Sequence, residues 1–131
     1  MAYQDDIKKA AALLLPWNKL SGCNILVTGA TGLIGGCLVD VLMAHKGRNY
    51  NVYASGRNEE RAGRRFLKYA DDNSFHFVKY DVAHPLEYDV NFQYIIHAAS
   101  GAYPEEFFYH PVEVIKGNFY GVDNLIGYVI Q

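Results

Sequence analysis

Asn24-Ile25-Leu26-Val27-Thr28-Gly29-Ala30-Thr31-Gly32-Leu33-Ile34-Gly35-Gly36 joins a short apolar run to three evenly spaced glycines. Ile25 to Val27 are apolar and largely β-branched, which predicts a strand buried on both faces of a parallel sheet. Glycines then stand at 29, 32 and 35, and from Leu33 the apolar period becomes that of a helix. Strand, glycine turn and helix together form a device for holding phosphate. Gly29 permits the tight turn, Gly32 lets the backbone come close to a pyrophosphate, and Gly35 lets helix pack on strand. The free N–H groups and the positive dipole end of the helix then face the anion. The spacing is one residue longer than G-x-G-x-x-G, and no Lys-Ser or Lys-Thr follows, so the loop is not a P-loop.

The surrounding chain supports one α/β domain. At 131 residues it is long enough to bury a core covering about two-thirds of its unfolded surface. Half of the residues are hydrophobic and a fifth are charged, the composition of a folded soluble domain. A net charge of −2 leaves no electrostatic footprint for nucleic acid or an anionic membrane. Cys23 and Cys37 lie far outside C-x-x-C spacing and read as reduced thiols of a cytoplasmic protein. No apolar run approaches the ~20 residues needed to span a bilayer. His45, His76, His84 and His110 show no metal-ligand spacing.

In chain order, residues 4–15 predict a helix with Ile7, Ala10, Ala11, Leu14 and Leu15 as its apolar stripe, ended by Pro16. Trp17 and Leu20 are expected to pin this extension to the domain. The glycine loop opens a helix over Leu33 to His45, with Leu38, Val41 and Leu42 facing the sheet. Lys46-Gly47-Arg48-Asn49 stops it. Asn51 to Ser55 reads as the second strand, Glu59 to Tyr69 as a basic helix and Phe75 to Tyr80 as the third strand. Phe92 to Ala98 reads as the fourth strand, and Val112 to Ile130 as a long last helix. Alternating strands and helices predict a doubly wound, Rossmann-type parallel sheet. Right-handed crossovers give the order 3-2-1-4, with the ligand crevice between strands 1 and 4. Residues 1–20 are then a helical extension, and residues 21–131 an incomplete dinucleotide-binding domain.

Thr28-Gly29-Ala30-Thr31-Gly32-Leu33-Ile34-Gly35 resembles the T-G-x-x-G-x-x-G signature of the short-chain dehydrogenase/reductase superfamily. More closely, it resembles the extended branch acting on nucleotide sugars, the NAD-dependent epimerase/dehydratase family. The resemblance assigns Gly29, Thr31, Gly32, Leu33, Ile34 and Gly35 to the cofactor. It matches Asp81-Val82 to the pair that bonds the adenine edge, with a surface-turn aspartate as the competing role for Asp81. His97-Ala98-Ala99-Ser100 matches the segment whose small residues pass against the nicotinamide-side ribose. His110-Pro111, Asn118, Gly121, Asn124 and Leu125 match the last motif, in which Asn118 supports the site.

The acid that usually bonds the ribose hydroxyls is missing, because the second strand ends Ser55-Gly56-Arg57-Asn58. Ser55 can donate to an anionic oxygen, and Arg57 can fork onto a phosphate and stack on adenine. That leans towards NADP, whereas many members of the branch hold NAD.

Catalysis in the superfamily needs Tyr-x-x-x-Lys, whose lysine lowers the tyrosine pKa. None of the eleven tyrosines has Lys four residues on, so no catalytic residue is assigned; Tyr103 is near enough to face substrate but lacks that partner. The expectation is the cofactor-binding part of a longer nucleotide-sugar epimerase, dehydratase or decarboxylase, with a homodimer through the last helix. The alternative is a non-catalytic NAD(P)-binding or redox-sensing module complete at this length.

Overall fold

The computed structural model describes residues 2–100 and 104–130. Its centre is a four-stranded parallel sheet in the order β3-β2-β1-β4, as the crossover argument requires. The strands are β1 (Asn24–Thr28), β2 (Asn51–Gly56), β3 (Phe75–Lys79) and β4 (Tyr94–His97). The helices are α1 (Ala2–Ala11), α2 (Leu33–Ala44), α3 (Glu59–Arg65), α4 (Pro104–Tyr109) and α5 (Pro111–Val129). The central strand is sealed on both faces. Ile25 and Val27 pack with α2 residues Val39, Leu42 and Met43, while Leu26 packs on the other face with Leu125 of α5.

Three expectations need correction. The first helix spans Ala2–Ala11, so Leu14 and Leu15 lie beyond it and are exposed; Ile7 and Ala11 carry the burial. Leu15 precedes Pro16, whose ring disfavours helical backbone at that residue. Secondly, of the three α2 residues expected to face the sheet only Leu42 is buried, while Leu38 and Val41 are half-buried. Gly35 and Gly36 seat the helix on the loop, and one to two turns later that same face carries Val39, Leu42 and Met43. Thirdly, the basic helix breaks at Phe66 and continues as a short 3₁₀ turn over Leu67–Tyr69. The break sets Phe66 and Tyr69 against Phe75.

The N-terminal extension is fastened by polar as well as apolar contacts. Trp17 stacks on His45 at 4.0 Å, and the His45 Nδ1 lies 2.8 Å from the Ala11 carbonyl. Asp40 of α2 is 1% exposed. It accepts hydrogen bonds from Tyr3 at 2.6 Å, Arg65 at 2.6 Å and Tyr69 at 2.7 Å. One carboxylate therefore ties α1, α2 and the segment after β2 together. No helix among the described residues is long and apolar enough to cross a membrane.

Candidate functional site

Gly29 ends β1 with φ +63°, a conformation that a β-carbon strongly disfavours. A Cβ there would also stand 2.7 Å from the Ala98 carbonyl oxygen and from the Ala99 nitrogen. The turn after β1 and the segment after β4 thus touch backbone to backbone, at the point where the strand order reverses. Gly35 makes the second close approach, since a Cβ on it would lie 2.3 Å from the Gly29 carbonyl oxygen. The loop is held from outside as well. Ala30 N–H donates to the Ser55 carbonyl at 3.0 Å, and Gly32 N–H to the Gly29 carbonyl at 3.0 Å.

The helix that follows begins without a side-chain cap at Gly32. Its first N–H groups have no intrahelical acceptors. Leu33 and Ile34 are exposed beside them. An uncapped helix end over a cradle with no side chain suits an anionic oxygen, which those N–H groups and the dipole attract.

The segment after β4 is positioned by a buried hydroxyl. Thr28 Oγ1 lies 2.7 Å from His97 Nδ1 and accepts from Ala99 N–H at 3.4 Å. One hydroxyl thus ties the His97 ring and the Ala99 backbone to the end of β1. Burial holds the His97 pKa below the ordinary histidine value, so the ring is neutral at pH 7. Its far side meets Gly121 of α5, where a Cβ would come within 3.2 Å of the ring. Next to it, Ser100 donates to the Asn118 side-chain oxygen at 2.9 Å. The Ala98–Ala99 backbone therefore faces the glycine loop, and the bonded pair Ser100 and Asn118 follows it.

At the end of β2 the Ser55 side chain is buried, and its hydroxyl has no partner among the described residues. Arg57 is exposed. Thr31 comes within 3.6 Å of a Cβ on Gly56, and Arg61 donates to the Thr31 carbonyl at 3.3 Å. After β3, one Asp81 oxygen accepts from Ala83 N–H at 3.0 Å, which closes its own turn. The Val82 carbonyl accepts from Asn124 at 3.0 Å, fixing that turn to α5. Tyr103 lies outside the described residues. No group of His, Cys, Asp and Glu among the described residues is arranged to hold a metal ion.

Three contributors escaped the sequence reading. Thr28 was visible as the residue before the first glycine, but its link to a histidine 69 positions on was not. Arg61 looked like one of several arginines on a basic helix. Asp40 did carry a signal, as the only charged residue in Leu33–Ala44.

Comparison with known proteins agrees with this geometry. Residues 25–131 match the model of the NAD dependent epimerase/dehydratase family. UDP-glucuronic acid decarboxylase 2 of Arabidopsis thaliana is 32% identical over 111 residues, covering 83% of this chain and 23% of that protein. UDP-glucuronic acid decarboxylase 1 of Danio rerio is 31% identical over 105 residues, 79% of this chain and 23% of that protein. The chain thus spans about a quarter of the length of these curated relatives. Among solved structures, the UDP-Glc/GlcNAc 4-epimerase of Campylobacter jejuni shares the fold with a TM-score of 0.65. It is 21% identical, and the match covers 84% of this chain and 34% of that one.

Proposed function

We propose, from the premise that the chain belongs to the NAD dependent epimerase/dehydratase family, that its glycine loop holds the pyrophosphate of NADP in preference to NAD. The cradle itself carries the dinucleotide part of this reading, and Arg57 in place of the ribose-binding acid carries the preference. Gly29 is pressed under Ala98–Ala99, Gly35 under Gly29, and the uncapped end of α2 opens above them. Around that cradle, Leu33 and Ile34 shield the anion from one side. Thr31 and Gly56 leave room at the end of β2, with the Ser55 hydroxyl enclosed behind them. Asp81 and Val82 border the adenine edge, and Asn118 orients Ser100 beside the nicotinamide end.

In the parent enzyme, we propose, the substrate is a nucleotide sugar. The bound cofactor supplies a hydride acceptor and donor, so that the sugar is oxidised at C4, altered and reduced again. The residues of this chain bind and orient. Neutral His97 commits Nδ1 to Thr28, and so sets the Ala98–Ala99 backbone instead of moving a proton. Turnover is expected of a longer polypeptide that supplies Tyr-x-x-x-Lys. A homodimer through α5 is part of the same proposal, since Val112, Ile115, Phe119 and Ile126 on that helix are exposed.

Arg57 gives the test of cofactor choice. Its guanidinium is exposed, with no carboxylate partner among the described residues, at the position where the ribose-binding acid is absent. Arg57→Ala should weaken NADPH binding by about tenfold or more, the worth of a charge-assisted hydrogen bond. NADH binding should stay nearly unchanged. Equal losses for both cofactors in a fluorescence titration would refute the phosphate preference.

A further inference from the structure

We propose that Arg61 is a second specificity-determining residue, whose guanidinium leaves the Thr31 carbonyl to take the 2′-phosphate of an adenosine ribose; this rests on the cofactor reading above. The main chain of Arg61 is fixed independently of its side chain, because Asn58 Oδ1 accepts from Arg61 N–H at 3.0 Å. The side chain is exposed and reaches back over the glycine loop, where Nη2 donates to the Thr31 carbonyl at 3.3 Å. That contact uses one of the five guanidinium donors. No carboxylate pairs with Arg61 among the described residues.

The neighbouring arginine makes the contrast. Arg65, one turn further on, gives both terminal nitrogens to the buried Asp40 carboxylate, at 3.3 and 2.6 Å. It is committed, whereas Arg61 rests on a neutral acceptor at long range. Thr31, to which Arg61 is attached, is also the residue packed against Gly56 at the end of β2. Glycine there supplies neither a carboxylate to bond the ribose hydroxyls nor one to repel a phosphate. Arg61, Thr31 and Gly56 therefore converge where the adenosine ribose would lie, with Arg57 one residue after Gly56.

A phosphate dianion is a stronger acceptor than a peptide carbonyl. Hydrogen bonds to ionised acceptors are shorter and roughly twice as strong as neutral ones. Exchange of the Thr31 oxygen for a 2′-phosphate is accordingly favourable, and NADH, which lacks that phosphate, leaves Arg61 where it is.

The experiment titrates the 131-residue chain and Arg61→Gln with NADPH and NADH by nicotinamide fluorescence. Adenosine 2′-monophosphate and 5′-monophosphate serve as competing probes. Arg61→Gln is expected to lose about tenfold in affinity for NADPH and for adenosine 2′-monophosphate. Affinities for NADH and adenosine 5′-monophosphate should stay within about twofold, and Arg61→Lys, which keeps the charge but not the fork, should fall between. Unchanged NADPH binding overturns the assignment. Equal losses for both cofactors also overturn it, because they mean that Arg61 serves only to hold the loop through Thr31. If the unmodified chain binds neither dinucleotide, the cofactor reading itself fails, and this inference fails with it.

Discussion

Gly35→Ala should destabilise the domain by about 3 kcal/mol or more. Overpacking a filled site ordinarily costs about 1–3 kcal/mol, and the larger values arise where neighbours cannot yield. Here the neighbours are main chain. The new methyl would stand 2.3 Å from the Gly29 carbonyl oxygen, 2.8 Å from its carbon and 3.0 Å from the Ala30 Cα. Relief requires separating α2 from the turn after β1, which breaks the cradle and exposes Val27 and Val39 on either side of it. Alanine gains about 1 kcal/mol over glycine in helix propensity, so the clash still dominates. Gly63 of α3 supplies the control, since a Cβ there meets nothing within 4 Å. Gly63→Ala should be neutral or stabilising by up to about 1 kcal/mol. Urea denaturation of both variants decides the matter, and an unchanged midpoint for Gly35→Ala would mean that the close approach is absent.

Asp40→Asn is expected to cost about 3 kcal/mol. Removing one partner of a buried ion pair costs roughly 3–5 kcal/mol, because the other charge is left uncompensated. The lower end applies because the Arg65 side chain is 30% exposed and water can reach it. Lys68, at 3.4 Å from the carboxylate, loses a weaker and more exposed contact.

The same residue predicts an acid limb. Burial alone would raise the Asp40 pKa. The hydrogen bonds from Arg65, Tyr3 and Tyr69, with the Arg65 charge, outweigh burial and hold it down at about 2. Burial and the bond to Asp40 push the Tyr3 phenol up to about 12, and Tyr69 is raised as well, so both stay protonated donors. A carboxylate whose folded pKa lies below its unfolded value stabilises the fold above the unfolded value, near 3.8. That stabilisation disappears as pH falls towards 2. A depression of this size is worth on the order of 2 kcal/mol. Asp40→Asn should therefore flatten the fall of the thermal midpoint between about pH 4 and pH 2. A variant with the native acid slope would show that other carboxylates carry it.

The sheet was legible because its signals are local and repeated. Ile25–Val27 and Val52–Ala54 are short apolar runs, and the glycine spacing joins the first of them to a helix in only a few ways. Strand order then followed from chirality. The face of α2 was not legible, because its apolar residues go nearly all round, and what orients it is the contact of Gly35 with a backbone oxygen. The end of α1 is hidden for a similar reason. Leu13 to Leu15 continue the apolar pattern, while Pro16 acts on the backbone before it.

In the site, the glycine loop and the order of the later motifs could be read from residue types. The pairs Thr28–His97, Ser100–Asn118 and Thr31–Arg61 could not, because each joins residues at least 18 positions apart. Such pairings are set by strand register and helix rotation. Asp40 shows both sides of this. Its isolation in an apolar helix marks it as unusual, but Tyr3, Arg65 and Tyr69 become its partners only once α1 and α3 have docked.

If the crevice at the ends of β1 and β4 takes a dinucleotide, adding NADPH to the isotope-labelled 131-residue chain will move its backbone amide NMR signals. Shifts are expected to concentrate at residues 29–35, 55–57, 61, 81–82, 97–100 and 118. Tyr3, Asp40 and Tyr69, in the network that fastens α1, should stay in place. A spectrum that does not move at millimolar NADPH, or one that moves only outside those residues, would contradict binding at that crevice.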